Sequence, residues 1–255
     1  MNPRHPKEGL PALADWLTPD WQPHPRVRAC VTTRAGSFSP PPWHGFNLGS
    51  NCGDDPDRVE RARRHVQRLL GTAHPPNWLK QVHGTDIVQA GAGEVAADAV
   101  WTDQPGWPCV VLTADCLPAL FARTDGSAVA AVHAGWRGLQ AGILERTAER
   151  LAPAGERLSV WLGPAISQPC YQVGAEVRAA FVDGDPEAAV AFRPDSTPDH
   201  WRMSLVELAS RRLAAAGVGD VQGGDLCTAS DPTRFYSYRY EGETGRFATL
   251  VWLAD

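Results

Sequence analysis

The stretch from Asn77 to His133 constrains the fold more than any other part of the sequence. It contains short apolar runs such as Cys109–Thr113 and Leu117–Ala122, and turn-forming segments such as DQPGWP and RTDGS separate them. Runs of this length are short for helices and are typical of buried strands bounded by turns. The middle of the chain is therefore predicted to form several closely spaced strands.

Helices and further strands are predicted around this region. Asp54 or Asp55 can cap a helix that starts near Pro56 and ends at Gly71, and further helices are predicted after His133-Ala-Gly-Trp-Arg-Gly and over 174–182 and 204–216. The remaining predicted strands are Val27–Thr33, Trp78–Val82, Asp86–Ala90, Ala99–Thr102, Ala128–His133, Leu158–Leu162 and Phe247–Leu253. Trp78–Val82 and Asp86–Ala90 are expected to form a hairpin around His83-Gly84-Thr85.

No internal repeat and no clear linker divides the chain. We therefore predict one mixed α/β (α+β) catalytic domain over residues 27–255. A proline- and tryptophan-rich, extended lead-in is predicted to precede it over residues 1–26.

Composition limits the expected cellular location and the classes of binding partner. The net charge of -5 argues against a general nucleic-acid binder, and five arginines between 58 and 68 have the spacing of a solvated helix face. No apolar run approaches the roughly 20 residues of a membrane helix, and no secretory signal is recognisable, so we expect a cytoplasmic protein. The six cysteines contain no C-x-x-C pair and are expected to be reduced, most of them as buried thiols. A monomer and a small homo-oligomer are both compatible with the sequence.

Three segments place a metal-ligand type at the predicted end of a strand: QVHG with His83, TADC with Cys116 and AVHAG with His133. Nitrogen and sulfur ligands suit zinc or copper(I) rather than magnesium or calcium. Three protein ligands leave a fourth tetrahedral position for water or substrate, as in catalytic zinc sites. The chain has no H-x-H pair of the kind that binds copper clusters, which favours zinc over copper.

Other interpretations of the same residues stay open. The three positions are 33 and 17 residues apart and match no compact metal motif, so two hydrogen-bonded histidines and a core thiol would also fit. Cys116 and His133 could instead form a thiolate–imidazolium pair in a hydrolase. A non-catalytic metal-binding module is a third class, which would have a closed ligand shell and no cleft.

Polar residues elsewhere suit an anionic substrate. Guanidinium groups bind phosphate in a bidentate manner, although any one of them could equally form a surface salt bridge. The candidates are Arg34, Asn47, Arg137, Arg239 and Arg246. Asp98 and Asp115 are the nearest candidate acids, and holding turns is the alternative role for both.

Six ordered motifs resemble one known family: QVHGTDIV, ADAVWTD, TADCLPALF, AAVHAGWRGLQAGIL, GPAISQPCYQVGAEV and YSYRYEGETGRFATLVWL. The chain resembles the bacterial purine nucleoside phosphorylase family over residues 27–253. That family was earlier labelled polyphenol oxidoreductase or laccase-domain, and it includes the peptidoglycan editing factor. At Tyr240 this chain departs from the family, which often has a second arginine there.

The resemblance implies a four-layer α/β sandwich similar to the catalytic domain of cytotoxic necrotizing factor toxins. It implies a zinc site formed by His83, Cys116 and His133, and a cleft that includes the five candidates for binding substrate. The implied reactions are phosphorolysis of adenosine, inosine, guanosine and methylthioadenosine, together with deamination of adenosine. Hydrolysis of peptidoglycan precursors through Cys116 is the alternative, and copper-dependent polyphenol oxidation ranks below it.

Overall fold

The computed structural model describes residues 10–255, so the first nine residues of the predicted lead-in lie outside the described part of the chain. The remainder of the lead-in contains a 3-10 turn at Leu13–Asp15 and packs two indole rings into the core. Trp16 and Trp21 are both buried, and Trp21 Nε1 donates a hydrogen bond to Ser159 Oγ at 2.8 Å. Residues 16–21 are therefore anchored to the body of the domain.

Strands and helices alternate irregularly along the described residues. The strands are β1 (Val27–Val31), β2 (Ile87–Gln89), β3 (Ala99–Thr102), β4 (Cys109–Thr113), β5 (Leu117–Arg123), β6 (Val129–Ala134), β7 (Leu158–Leu162), β8 (Gln172–Gly174), β9 (Phe192–Pro194), β10 (His200–Met203), β11 (Asp220–Gly223) and β12 (Phe247–Leu253). The helices are α1 (Pro56–Leu70), α2 (Trp136–Gln140), α3 (Ile143–Leu151), α4 (Ala175–Val182), α5 (Leu205–Ala215) and α6 (Tyr238–Glu241). Two further 3-10 turns cover Gln168–Cys170 and Pro186–Ala191.

Three sheets organise these elements. The largest has the strand order β11-β7-β5-β6-β3-β2, the second has β1-β12-β4, and a small third sheet has β8-β10-β9. Strands β5 and β6 form an antiparallel pair in which Pro118 lies opposite His133 and Leu117 opposite Ala134. This register brings the start of β5, and therefore Cys116, next to the end of β6.

Alternation of side chains along the strands separates the core into layers. On β6, Ala130 and Val132 join a cluster with helices α3 and α5, whereas Val129 and Ala131 join a cluster with the second sheet. On β4 of the second sheet, Val111 joins the same cluster as Val129 and Ala131, whereas Val110 faces the opposite way and packs with helix α1. The order is thus helices, large sheet, second sheet and helix α1.

Much of the predicted secondary structure is confirmed. Helix α1 has Asp55 as its N-cap, with backbone N–H groups of the first turn donating to Asp55 Oδ1, and Gly71 ends it in the left-handed conformation at φ 61°. Strands β3, β4, β7 and β12 have the predicted bounds. A mixed α/β fold with several sheets is the architecture observed.

The predicted hairpin around His83 is wrong. Residues 78–82 form no strand and make one isolated bridge, at Lys80, while β2 pairs in parallel with β3. The apolar residues at 78, 79 and 82 suggested a strand, but Leu79 packs into the core, Trp78 lies against it and Val82 is largely exposed. The helix predicted after His133 is also divided, because Gly142 at φ 92° separates α2 from α3.

Two expectations about individual side chains are wrong as well. Arg63 lies buried rather than on a solvated face, with its guanidinium stacked 4.6 Å from the centre of the Trp78 ring. Of the six free cysteines, only Cys30 and Cys109 are fully buried, and the other four are partly accessible. Within residues 10–255, no helix is both long enough and apolar enough to cross a bilayer.

Candidate active site

His133 lies near the end of β6, and its side chain is buried. Its Nδ1 donates a hydrogen bond to Asp98 Oδ1 at 2.8 Å, and its backbone N–H donates to the Asp98 carbonyl at 2.7 Å. Because Nδ1 is occupied by the carboxylate, the Nε2 atom is left as the ligand atom of the ring. The position of Asp98 immediately before β3 therefore fixes the orientation of this imidazole.

The same carboxylate holds the loop that carries His83. Asp98 Oδ2 accepts hydrogen bonds from the N–H groups of Val82 at 3.2 Å and Gly84 at 2.6 Å, and Oδ1 accepts one from His83 at 2.9 Å. His83 has a left-handed backbone conformation with φ 61°, which is uncommon for a residue other than glycine. A single buried carboxylate thus positions two of the three predicted ligands.

Cys116 completes the group from a tight turn between β4 and β5. Its Sγ lies 3.8 Å from His83 Nε2, and the two histidine rings have centres 4.8 Å apart. Burial alone would raise the pKa of the Cys116 thiol, but the charge of His133 and hydrogen bonds from both imidazoles lower it to about 6. Burial would lower the pKa of His133, and its partners Cys116 and Asp98 raise it to about 9.

The three ligand atoms lie close enough together to hold a metal ion. They all lie within 4.8 Å of one another, whereas zinc bonds of about 2.0–2.3 Å place tetrahedral ligands roughly 3.3–3.8 Å apart. Closing this difference requires only small side-chain movements. Asp98 supplies the carboxylate that commonly orients a ligating histidine.

Gly135 is required for the close approach of these side chains. A Cβ atom at this position would lie 2.8 Å from His83 Cδ2 and 3.1 Å from Cys116 Sγ. Gly138, on the first turn of α2, packs similarly against the Gly84 carbonyl oxygen, which a Cβ atom would approach to 2.8 Å. The glycines of HAGWRG therefore make room for the ligand cluster.

A cavity of about 460 Å³ opens onto the three ligands. Its other walls come from the loop 49–52, strand β4, helix α6 and Arg246. Arg246 donates hydrogen bonds from Nη1 to the carbonyl oxygens of Thr244 and Gly245, and no carboxylate among the described residues pairs with it. Tyr238 lines the same cavity with 59% of its surface exposed.

Arg34 and Asn47 do not line this cavity. Arg34 is buried, its Nη1 pairs with Glu241 Oε1 at 2.8 Å, and its guanidinium stacks on the Tyr236 ring. Asn47 is also buried, and its Oδ1 accepts hydrogen bonds from the backbone N–H groups of Gly49 and Arg246. Both side chains hold elements that form the cavity wall.

Arg137 and Arg239 lie outside the cavity lining, near Tyr171. The Arg239 guanidinium lies 5.0 Å from the centre of the Tyr171 ring and donates to the Gln172 carbonyl, whereas Arg137 stacks on Trp136. Burial raises the pKa of Tyr171; the charge of Cys116 adds to this increase, and the two arginines oppose it. Tyr171 is therefore within electrostatic range of Cys116 and of both arginines.

Asp115 holds turns, which was one of its two predicted roles. Its Oδ1 accepts from Thr228 Oγ1 at 2.6 Å, and its Oδ2 accepts from the backbone N–H of Arg239 at 2.7 Å. Asp115 has a left-handed backbone conformation with φ 92°, and so does His83. One ligand and the residue before another ligand therefore both have this uncommon conformation. The expectation that every ligand ends a strand is wrong for His83, which lies in a loop, and for Cys116, which lies in the turn between β4 and β5.

Sequence reasoning did not find Tyr238 or the loop 49–52 as parts of the cavity wall. Tyr238 falls within a quoted motif, but its residue type alone gave no signal that distinguished it from core aromatics. The loop follows Asn47 in FNLGSNCG, and its small residues were the available signal.

Known proteins share this arrangement of sequence and fold. A family model described as multi-copper polyphenol oxidoreductase laccase matches residues 28–254. A protein of Pseudomonas aeruginosa named purine nucleoside phosphorylase is 52% identical over 241 residues, covering 94% of this chain and 99% of its own length. The protein of the same name from Escherichia coli is 43% identical over 244 residues, covering 94% and 100%.

Solved structures agree with these sequence relationships. A Neisseria meningitidis protein superimposes with a TM-score of 0.89 at 41% identity, covering 94% of this chain and all of the other. YlmD from Geobacillus stearothermophilus superimposes with a TM-score of 0.86 at 29% identity, covering 94% and 97%. The chain therefore belongs to the multi-copper polyphenol oxidoreductase laccase family, in which relatives across nearly its whole length are named purine nucleoside phosphorylases.

Proposed function

We propose that the chain is a zinc-dependent purine nucleoside phosphorylase acting on adenosine, inosine, guanosine and methylthioadenosine. The observation that carries the proposal is the His–Cys–His cluster at the wall of an open cavity. An open three-ligand cluster is what a catalytic centre requires, whereas a structural zinc site takes four protein ligands. The relatives named above support the choice of reaction.

His83, Cys116 and His133 would hold the ion. When bound, zinc supplies Lewis-acid polarisation of an oxygen or nitrogen of the substrate. The role of Asp98 is to keep the proton of His133 on Nδ1 and the His83 loop in place. The lowered pKa of Cys116 keeps its sulfur in the thiolate form that a metal requires.

Arginine side chains would bind the anion. Phosphorolysis requires phosphate next to the anomeric carbon, and Arg246 is the candidate that faces the cavity. Arg137 and Arg239 do not line the cavity, and phosphate binding by these two residues stays a prediction. Arg34 and Asn47 would act by positioning, since they hold the C-terminal turn and the loop 49–52 respectively.

We further propose a four-layer sandwich like that of the cytotoxic necrotizing factor catalytic domain. The order of helices, large sheet, second sheet and helix α1 supports it. The single domain over residues 27–255, the cytoplasmic location and the monomer or small homo-oligomer stay predictions.

A second candidate function is a Cys–His hydrolase that acts on peptidoglycan precursors. The hydrogen bonds of Cys116 with His133 and His83 favour it, because a nucleophilic thiol requires an imidazole within reach. Copper-dependent oxidation is a third candidate, named in the family description. Within residues 10–255, however, only one group of three such ligands lies close enough to hold a metal.

An inosine assay tests the proposed phosphorolysis. Purified protein of known metal content is incubated with inosine, with and without phosphate, and the products are separated. Ribose 1-phosphate formed only with phosphate supports phosphorolysis, and ribose formed equally without phosphate contradicts it. Adenosine converted to inosine would show deamination, which stays a prediction because the relatives described are named for phosphorolysis. Full activity in Cys116→Ala would contradict both the metal and the thiol mechanisms.

A further inference from the structure

A second group of thiols and hydroxyls lies where two loops meet, outside the ligand cluster. The loop after β7 carries Ser167 and Cys170, and the loop after β11 carries Cys227 and Ser230. An isolated parallel bridge between Ala165 and Cys227 joins the loops. Both cysteines are free and partly accessible to solvent.

Cys227 has the surroundings of an activated thiol. Its Sγ accepts hydrogen bonds from the backbone N–H of Ser167 at 3.4 Å, from Ser167 Oγ at 2.9 Å and from Ser230 Oγ at 3.3 Å. Burial alone would raise the pKa of this thiol, but these hydrogen bonds stabilise the thiolate and lower the pKa to about 7. A thiolate that is partly exposed is the form that reacts with oxidants.

Cys170 is placed to react with an oxidised Cys227. Its Sγ lies 3.7 Å from Ser230 Oγ, the same hydroxyl that contacts the Cys227 sulfur. Both sulfurs therefore contact the hydroxyl oxygen of one exposed residue, and a bond between them requires that hydroxyl to rotate away. Tyr240, which is largely exposed, lies within hydrogen-bonding reach of Cys170.

Hydrogen bonds connect this group to the turn that carries Cys116. Thr228, which follows Cys227, donates from Oγ1 to Asp115 Oδ1 at 2.6 Å. Ile166, which precedes Ser167, donates its backbone N–H to the Asp115 carbonyl at 2.9 Å. A change of covalent structure at Cys227 would therefore affect the hydrogen bonds to both the side chain and the backbone carbonyl of Asp115.

We propose that Cys227 and Cys170 form a redox-sensitive pair that peroxides oxidise to a disulfide. The Cys227 thiolate attacks a peroxide oxygen, the O–O bond breaks, and the products are a sulfenic acid and hydroxide or alkoxide. The Cys170 thiol then attacks the sulfenic sulfur; the S–S bond forms, the S–O bond breaks, and the thiol proton leaves with the oxygen as water. The two sulfurs are oxidised and the peroxide is reduced. A dithiol such as dithiothreitol reverses the change.

The test treats the full-length protein with hydrogen peroxide and analyses its peptides by mass spectrometry. A peptide pair linked through Cys170 and Cys227, released by dithiothreitol, is the expected product. In Cys170→Ser we expect the sulfenic acid at Cys227 to persist and to be trapped by dimedone. Formation of sulfinic acid at Cys227 in the wild type without any linked peptide would overturn the pair.

Matched controls come from the other accessible cysteines. Cys52 donates from Sγ to the Gly49 carbonyl at 3.1 Å, so Cys52→Ser should leave the linked peptide unchanged. At pH 7 we expect iodoacetamide to modify Cys227 at least about tenfold faster than Cys52. Equal rates, or a linked peptide that disappears in Cys116→Ala, would contradict the proposal. These covalent readouts do not depend on which reaction the ligand cluster catalyses.

Discussion

Replacement of Asp98 by asparagine should weaken metal binding and destabilise the fold together. Oδ1 accepts from His133 Nδ1 and the His83 N–H, and Oδ2 accepts from the N–H groups of Val82 and Gly84. Whichever oxygen becomes the amide NH₂ group, two of these four donors lose their acceptor. An unpaired buried donor costs about 1–3 kcal/mol, and the loop is partly exposed, so we expect the free energy of unfolding to fall by about 2–4 kcal/mol.

The effect on the metal follows from the same hydrogen bonds. Loss of a carboxylate that orients a ligating histidine typically lowers metal affinity by about 10–100-fold, which is the decrease we expect for zinc. Titration against a competing chelator measures the affinity, and urea unfolding measures the stability. Asp54→Asn is a matched control, since Asp54 is a buried carboxylate that accepts from Asn47 Nδ2 and touches none of the ligands. Unchanged zinc affinity in Asp98→Asn, with the fold intact, would refute the assigned role.

Three further predictions concern the walls and supports of the site. Gly135→Ala should lower zinc affinity at least about tenfold by displacing the His83 ring, and chelator titration would measure it; affinity equal to wild type would show that the ring is not confined there. Arg246→Ala should raise the KM for phosphate by about tenfold or more with little change in Tm, because its guanidinium has no carboxylate partner among the described residues; an unchanged KM would remove Arg246 from the anion site. Glu241→Gln should lower the free energy of unfolding by about 1–3 kcal/mol at pH 7 through loss of the charged pair with Arg34. Burial would raise the pKa of Glu241, but hydrogen bonds and the charge of Arg34 lower it. The difference in free energy of unfolding between wild type and Glu241→Gln is therefore present above the ordinary glutamate pKa and disappears as the pH falls through the lowered value. A stability difference that persists in acid would contradict the assignment.

The sequence predicted the elements whose signals are local. Asp55, Pro56 and Gly71 mark both ends of helix α1, and apolar runs bounded by turns mark β3, β4 and β7. Wherever the backbone conformation depends on a distant group, prediction failed. The loop around His83 carries apolar residues at strand spacing, yet hydrogen bonds to Asp98, fifteen residues away along the chain, hold it out of any sheet.

Individual roles within the site were predictable only in part. His83, Cys116 and His133 were selected by residue type and then by motif, and the structure brings their ligand atoms together. Arginine type alone could not separate Arg246, which faces the cavity, from Arg34, which lies buried against Glu241. This difference arises from tertiary packing, since both arginines lie in loops next to a strand, Arg34 after β1 and Arg246 before β12.

The dependence of inosine phosphorolysis on added zinc tests the central claim most directly. Protein stripped with a chelator is titrated with zinc at saturating phosphate, and ribose 1-phosphate is measured at each addition. We predict negligible activity in the stripped protein, recovery that saturates at about one zinc per chain, and no recovery in Cys116→Ala. Full activity in the stripped wild-type protein would contradict the account.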